Sequence, residues 1–195
     1  MANRSTLYAM EESADGAQPK RMWGLSEWPW DIPVSHLILV GAEPQMCHSY
    51  VWNFDGKIAV RGDFVRGRQQ FFTFLELLRQ RAILPAAELD EAIADARAVL
   101  DVPSGDRLVM LLEAGEILEM MDVSDQDSLE KLNENEVFGQ TLSEKDFPGL
   151  LDSLEKQAAA DGVAAVWGRL GITDWSDLTW LGLEQAYPPS PAADA

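Results

Sequence analysis

The sequence has very little cysteine and histidine. Its 195 residues include one cysteine, Cys47, and two histidines. A single cysteine excludes an internal disulfide framework and favours a reducing compartment. So few sulfur and imidazole ligands, without a fixed spacing, argue against a structural zinc site. We therefore expect a domain that folds without metal, cofactor or disulfide.

Long apolar runs are also missing. The longest, Leu37–Val40 and Leu108–Leu112, are far shorter than the roughly 20 residues of a membrane span. Residues 1–21 are polar and lack the apolar core of a secretory signal. These absences predict a cytoplasmic protein that does not enter a membrane.

No catalytic motif stands out. Cys47 and His48 are adjacent, so their side chains would point in different directions on a helix, and a thiol nucleophile would need His36 as its base. Residues 122–134 lack the glycine of a calcium loop, and with 33 acidic residues any pair of carboxylates is weak evidence for glycosidase chemistry. Arg61, Arg66 and Arg68 lack the glycine pattern of a phosphate loop and are expected to pair with acids of the chain itself.

Basic residues are scarce in the second half of the chain. Residues 1–100 carry 10 Lys/Arg and 13 Asp/Glu, for a net charge of −3, whereas residues 101–195 carry 5 and 20, for −15, and the two halves sum to −18. Within the second half, Lys131 is the only base in an acidic segment that contains Glu113, Glu116, Glu119, Asp122, Asp125, Asp127, Glu130, Glu134 and Glu136.

This acidic segment constrains the choice of partner. Such a field repels nucleic acid and anionic lipid, and it attracts cationic proteins over a long range. The candidate partner-binding residues are Asp122, Asp125, Asp127, Glu130, Glu134 and Glu136. The alternative is a helix face whose charges only meet solvent.

Hydrophobic spacing predicts an α+β fold, a helix-rich single domain over residues 1–187 with a small, mainly antiparallel sheet. Residues 11–20 are expected to form a mobile loop, and 188–195 a flexible tail. The predicted strands are Ser5–Met10, Ile58–Val65 and Arg107–Leu112. Trp23, Trp28 and Trp30 lie among glycine and proline, which predicts irregular structure there.

Helices are predicted over most of the remaining chain. One begins at Pro33 and ends before Gly41, and a capping-box pattern at Ser143 and Asp146 opens another. For Val163–Trp167 a strand and a helix both remain open, and for Glu113–Met121 a helix is favoured over a hairpin. The other predicted helices are Pro44–Trp52, a segment from Arg68 that forms a hairpin with Ala86–Leu100, Ser128–Val137 and Leu142–Ala160.

Three short segments carry a resemblance. Met1-Ala2-Asn3-Arg4-Ser5-Thr6-Leu7-Tyr8, Gly24-Leu25-Ser26-Glu27-Trp28 and Gly62-Asp63-Phe64 together resemble a group of bacterial proteins of unknown function, although Thr6 stands where an aromatic residue is expected. The resemblance covers about the first third of the chain. It implies a bacterial, cytoplasmic setting and no site residue.

Three functions are compatible with these observations. The leading hypothesis is a protein-binding protein, specifically an immunity protein that neutralises a basic toxin domain by occluding its active site, which rests on analogy in size and acidity. The first alternative is a small-molecule enzyme or ligand-binding domain with an aromatic pocket near Trp23, Trp28, Trp30, His36 and His48. The second is a homo-oligomeric structural subunit. A monomer or a homodimer is expected.

Overall fold

A five-stranded antiparallel sheet organises the chain, and the computed structural model describes residues 3–12, 19–54, 56–101, 107–121 and 126–172. The strands are β1 (Arg4–Glu12), β2 (Pro19–Pro29), β3 (Gln45–Cys47), β4 (Ala59–Asp63) and β5 (Leu108–Glu113). The helices are α1 (Val34–Leu39), α2 (Phe64–Gln80), α3 (Ala86–Val99), α4 (Gly115–Glu119), α5 (Gln126–Leu132), α6 (Phe147–Asp161) and α7 (Val163–Leu170). A π-helix (Asn133–Val137) and two 3₁₀ turns (Phe138–Gln140 and Glu144–Asp146) connect α5 to α6.

The strand order across the sheet is β2-β1-β5-β4-β3. β1 pairs with β2 in a long hairpin, while β5, which comes last in the chain, inserts between β1 and β4. Every neighbouring pair is antiparallel. The two edge strands are therefore β2, which begins and ends at a proline, and the three-residue β3, and both features limit further pairing at an edge.

Helices cover one face of the sheet. Leu7, Val60 and Leu112 project from that face into the main core, where they meet residues of α1, α2, α3, α6 and α7. Alternate strand residues form a smaller cluster on the second face, with Met10, Met22, Ala59 and Leu111 at its centre. The period-2 alternation thus supplies apolar side chains to both faces.

A buried histidine ties α1 to the first hairpin. The Ser5 hydroxyl donates to the Asp31 carbonyl (2.9 Å), so Nδ1–H of His36 donates to Ser5 Oγ (3.2 Å), and the Ser26 hydroxyl donates to Nε2 (2.7 Å). Burial lowers the pKa of His36 to about 3. His36 is therefore a neutral core residue that satisfies two buried serines.

Gly67 permits close contact between α2 and α1. A Cβ at this position would lie 2.0 Å from the carbonyl oxygen of Leu39, a backbone atom that cannot move aside cheaply. Gly149 in α6 has no atom within 4 Å of its Cβ position. The two glycines share a helical backbone but differ in what surrounds them.

We expect Gly67→Ala to lower the free energy of unfolding by about 2 kcal/mol or more, because α2 must separate from α1. Gly149→Ala is the matched control and should raise it by about 0.5–1 kcal/mol through helix propensity alone. Urea denaturation measures both. Equal effects in the two variants would show that α1 and α2 can separate freely.

The structure confirms the predicted α+β class and single helix-rich domain. The strand predicted at Arg107–Leu112 matches β5, and the helix favoured at Glu113–Met121 contains α4. The Ser143–Asp146 capping box is present, and Val163–Trp167 lies in the helix α7. The strand predicted at Ile58–Val65 ends at Asp63, because the Asp63 carboxylate accepts a hydrogen bond from the Arg66 backbone and caps α2.

Two local predictions are wrong. Pro44–Trp52 is not a helix: it contains β3, whose pairing with β4 overrides local propensity. Trp23 and Trp28 lie in strand β2, where a register shift between Leu7 and Tyr8 leaves Leu25 without a partner, while Trp30 lies in a bend after the strand. β1 continues through Glu12 and β2 begins at Pro19, so the connection between them is shorter than 11–20. Residues 13–18 and the tail 188–195 lie outside the described residues.

Candidate functional site

One end of the sheet gathers most of the acidic segment. We call it the acidic end, and it is the end where β5 finishes at Glu113. The antiparallel register places Thr6, near the start of β1, and Ala59, the first residue of β4, beside Glu113. Cys47, the last residue of β3, pairs with Ala59. Loops that enter and leave four strands therefore meet here.

α4 lies at the centre of this end. On one side, the Glu116 carboxylate accepts a hydrogen bond from the Arg4 backbone (2.9 Å), and Asn3 accepts one from the backbone of Trp30 (2.8 Å). On the other side, the Trp52 ring packs directly against Gly115, 3.0 Å from its Cβ position. α4 is thus held between the start of β1 and the loop that follows β3.

α5 and the π-helix pack against the same end. Nδ2 of the buried Asn133 donates to the backbone carbonyls of Lys57 (3.0 Å) and Ala59 (3.4 Å), at the start of β4. Oε2 of Glu130 lies 3.2 Å from the Cβ position of Gly56. These contacts fix the π-helix, a conformation often found at functional sites, so that Glu134 and Glu136 face solvent.

The six predicted partner-binding residues therefore have different positions. Glu134 and Glu136 are exposed on the π-helix, and Glu130 is half-buried beside Gly56. Asp127 belongs to α5. Asp122 and Asp125 lie outside the described residues.

Glu113 is not part of the surface field, although the sequence groups it with the other acids. It is 2% exposed. Tyr50 donates a backbone hydrogen bond to its Oε1 (2.8 Å), while Oε2 has no hydrogen-bond partner within the described part of the chain. Burial raises the pKa of Glu113 to about 7, against the opposing effect of the hydrogen bond from the Tyr50 backbone. At acidic pH the side chain is a neutral group beneath the loop that follows β3.

Charges are balanced at the opposite end of the sheet. There several of the chain's arginines pair with its own acids, as the sequence predicts for Arg61, Arg66 and Arg68, while one further pair, Arg4 with Glu27, lies at the acidic end. The partners of Arg61, Arg66 and Arg68 are Glu12, Glu43 and Asp101, and Arg21 pairs with Glu11. In contrast, Glu119, Glu134 and Glu136 form no ion pair in the ranges that the structure describes. The uneven distribution of charge along the sequence thus becomes an uneven distribution of charge between the two ends of the sheet.

Cys47 lies on the second face of the sheet, half-buried. Burial, reinforced by Glu113, raises the pKa of its thiol to about 12. His48 is exposed, and His36 is bonded to Ser5 and Ser26 in the core on the other face, so His36 does not serve the thiol as a base. The arrangement lacks the features that activate a cysteine.

Cys47 should therefore react slowly with iodoacetamide. At pH 7.5 we expect alkylation of the folded protein to be about 100-fold slower than that of the urea-unfolded chain, because the thiolate is scarce and partly shielded. Mass spectrometry over time measures the rate. Alkylation as fast as in urea would show an accessible thiol of ordinary reactivity and would contradict the raised pKa of Cys47.

The candidate residues of the predicted aromatic pocket lie in different environments. Trp23 is buried in the main core and Trp30 is exposed beyond the end of β2. His48 follows β3, at the opposite edge of the sheet from β2. Two open cavities are described, of about 400 and 500 Å³, and neither is lined by Trp23, Trp28, Trp30, His36 or His48.

One family model matches most of the chain. The model of a family described as a domain of unknown function, DUF7822, matches residues 10–160, from β1 to the last turn of α6. The chain belongs to this family. The match includes the whole acidic end except the start of β1. No curated protein matches the chain, and no solved structure does.

Two further observations describe this DUF7822 domain. None of its described helices has the length and apolar character needed to cross a membrane. Across its described ranges, no three His, Cys, Asp or Glu side chains are grouped so that they could hold a metal ion.

Sequence reasoning missed the apolar part of the acidic end. Met120 and Met121, directly after α4, are 41% and 47% exposed. Val51, in the loop beside α4, is 43% exposed, and Trp30 is 61% exposed. The available signal in the sequence was the pair of consecutive methionines after a short helix in the acidic segment. Only the contacts of α4 show that these exposed side chains lie at the acidic end of the sheet.

Proposed function

We propose that this domain is a bacterial, cytoplasmic protein-binding protein that meets a cationic protein partner through the acidic end of its sheet. One observation carries the proposal: Glu119, Glu134 and Glu136 lie at the same end without an ion pair among the described residues, whereas Arg21, Arg61 and Arg66 pair with acids at the other end. Carboxylates without an ion pair that lie together at one end orient an approaching cationic surface and raise its rate of association.

An immunity protein is the form of this function that fits best. Such a protein must bind a basic domain quickly and cover its active site, and it needs no catalytic groups of its own. The neutral His36 in the core and the raised pKa of the Cys47 thiol are compatible with such a role. The protein acts as a monomer or homodimer in this proposal.

Affinity capture from the bacterial cytoplasm tests the proposal. The wild-type domain should retain a basic protein, and a variant with Glu119→Gln, Glu134→Gln and Glu136→Gln should lose it. The matched control carries Glu88→Gln, Glu91→Gln and Glu144→Gln, which remove three exposed carboxylates from other elements. For an immunity protein, the captured protein should be toxic and lose its activity when the domain is added.

Equal capture by both triple variants would place the partner elsewhere and overturn the proposal. Capture of a protein that keeps its full activity in the complex would support a protein-binding function but would rule out an immunity protein.

A further inference from the structure

The exposed apolar side chains are unevenly distributed. Among the described residues, the large exposed hydrophobic side chains are Trp30, Val51, Val65, Met120 and Met121. Val65 lies in the first turn of α2, after the end of β4, and thus at the balanced end of the sheet. The other four lie at the acidic end.

Met120 and Met121 are bonded directly to α4, whereas Trp30 and Val51 are linked to it only through neighbouring residues. Met120 and Met121 follow its last residue, and their backbone N–H groups still bond to Ile117 and Leu118. Trp30 is bonded to Asn3, next to the Arg4 backbone that Glu116 of α4 holds. Val51 precedes Trp52, whose ring packs on Gly115. Because Trp30 follows β2 and Val51 follows β3, at opposite edges of the sheet, we call only Met120 and Met121 the α4 surface.

Exposed carboxylates lie beside the α4 surface. Glu119 is exposed directly before the two methionines, and the π-helix with Glu134 and Glu136 packs at the same end. Scattered exposed apolar residues need no explanation, but several at one end beside unpaired carboxylates resemble the composition of a binding surface. Methionine is well suited to contact apolar side chains of varied shape, because it is unbranched and polarizable.

We infer that the α4 surface binds a cationic amphipathic helix of the partner. The apolar side of that helix contacts Met120 and Met121, and its lysines or arginines face Glu119, Glu134 and Glu136. Charge complementarity selects this occupant, because a purely apolar segment would leave the carboxylates unpaired and a purely cationic one would leave the methionines uncovered. The inference rests on the proposed function and adds to it the structure of the bound segment.

Two synthetic peptides of identical leucine and lysine composition test the inference. Both have about 14 residues; one places leucine at helical spacing, and the other distributes leucine around the helix. The wild-type domain should bind the amphipathic peptide at least about tenfold more tightly than the permuted one. Isothermal titration calorimetry measures both affinities.

A Met120→Gln/Met121→Gln variant should lose this preference and still bind the permuted peptide, because glutamine keeps the length of the side chain and removes its apolar character. Val65→Gln is the matched control and should keep the preference. Circular dichroism checks that each variant is folded. If the double variant does not fold, Met121→Gln alone should reduce the preference to about threefold, half the effect on a logarithmic scale.

The outcomes separate this inference from the proposed function. Equal binding of both peptides by the wild-type domain would overturn the inference that an amphipathic helix is bound, but it would still be compatible with a cationic partner. Binding of neither peptide also overturns the inference, while affinity capture decides the proposed function independently. A homodimer that sedimentation detects in the wild type and that the double methionine variant abolishes would assign the α4 surface to a second copy of the chain.

Discussion

Glu113→Gln is expected to raise the free energy of unfolding by about 3 kcal/mol at pH 8 and to change it little at pH 5. The cause is the buried position of the carboxyl, which raises the pKa of Glu113 from 4.5 to about 7. Glutamine can still accept the hydrogen bond from the Tyr50 backbone, and it places no charge beneath the loop.

The sign follows from proton binding. Because the folded-state pKa of Glu113 is raised, the folded protein binds more protons than the unfolded chain between pH 4.5 and about 7, and stability falls as the pH rises through that window. His36 has the opposite effect: its lowered pKa of about 3 makes stability rise with pH between 3 and 6.5. The two contributions offset each other between pH 4.5 and 6.5.

The combined contribution of Glu113 and His36 to the free energy of unfolding of the wild type should therefore change little between pH 4.5 and 6.5. In Glu113→Gln the free energy of unfolding should rise over the same interval by about 1.4 kcal/mol per pH unit. The neighbouring Cys47 and Tyr50 have raised pKa values and stay neutral throughout. Other charged groups near this face, Glu12, Lys57 and Arg61, are common to both proteins.

Urea denaturation at pH 5, 6, 7 and 8 measures these profiles. Glu134→Gln, which neutralises an exposed acid at the same end, is the control and should follow the wild-type profile within about 0.5 kcal/mol. A parallel profile in Glu113→Gln, shifted by the same amount at every pH, would show that Glu113 is ionised at pH 5 in the folded protein.

Neutralisation of Glu119, Glu134 and Glu136 is expected to slow association with the captured basic partner by about tenfold or more at low ionic strength. These side chains are exposed, so they steer the partner before contact and contribute less to the lifetime of the complex. At high salt, where the Debye length is about 3 Å at 1 M, the difference should nearly disappear.

Stopped-flow kinetics at several salt concentrations measures the association rate. The triple variant at Glu88, Glu91 and Glu144 is again the control, and its rate should decrease much less, since its charges lie on α3 and before α6. If the association rate decreases by the same factor in both triple variants, it depends only on net charge, and the position of the carboxylates at the acidic end has no role.

Much of the fold could be predicted from the sequence because its signals are local. The apolar run at 108–112 predicts β5, and the Ser143–Asp146 pair predicts the turn that opens α6. β3 could not be predicted, because its three residues become a strand only through their pairing with β4. The same holds for β2, where paired neighbours override the irregularity that Gly24 and the flanking prolines indicate.

The acidic segment was visible in the sequence, but its division into buried and exposed parts was not. Glu113 and Glu119 are equivalent in a charge count. β5 carries Glu113 into the interior beside Tyr50, while Glu119 emerges at the end of α4. Only the register of the sheet shows that the start of β4, the loop after β3 and the π-helix meet at one end.

Zero-length cross-linking of the complex tests the central claim most directly. A carbodiimide joins carboxylates of the domain to lysines of the bound basic partner, and mass spectrometry identifies the joined residues. The account predicts cross-links at Glu119, Glu134 and Glu136, and none at Glu88, Glu91 or Glu144, although all six are exposed. Cross-links concentrated at Glu88, Glu91 or Glu144 would show that the partner binds away from the acidic end and would contradict the account.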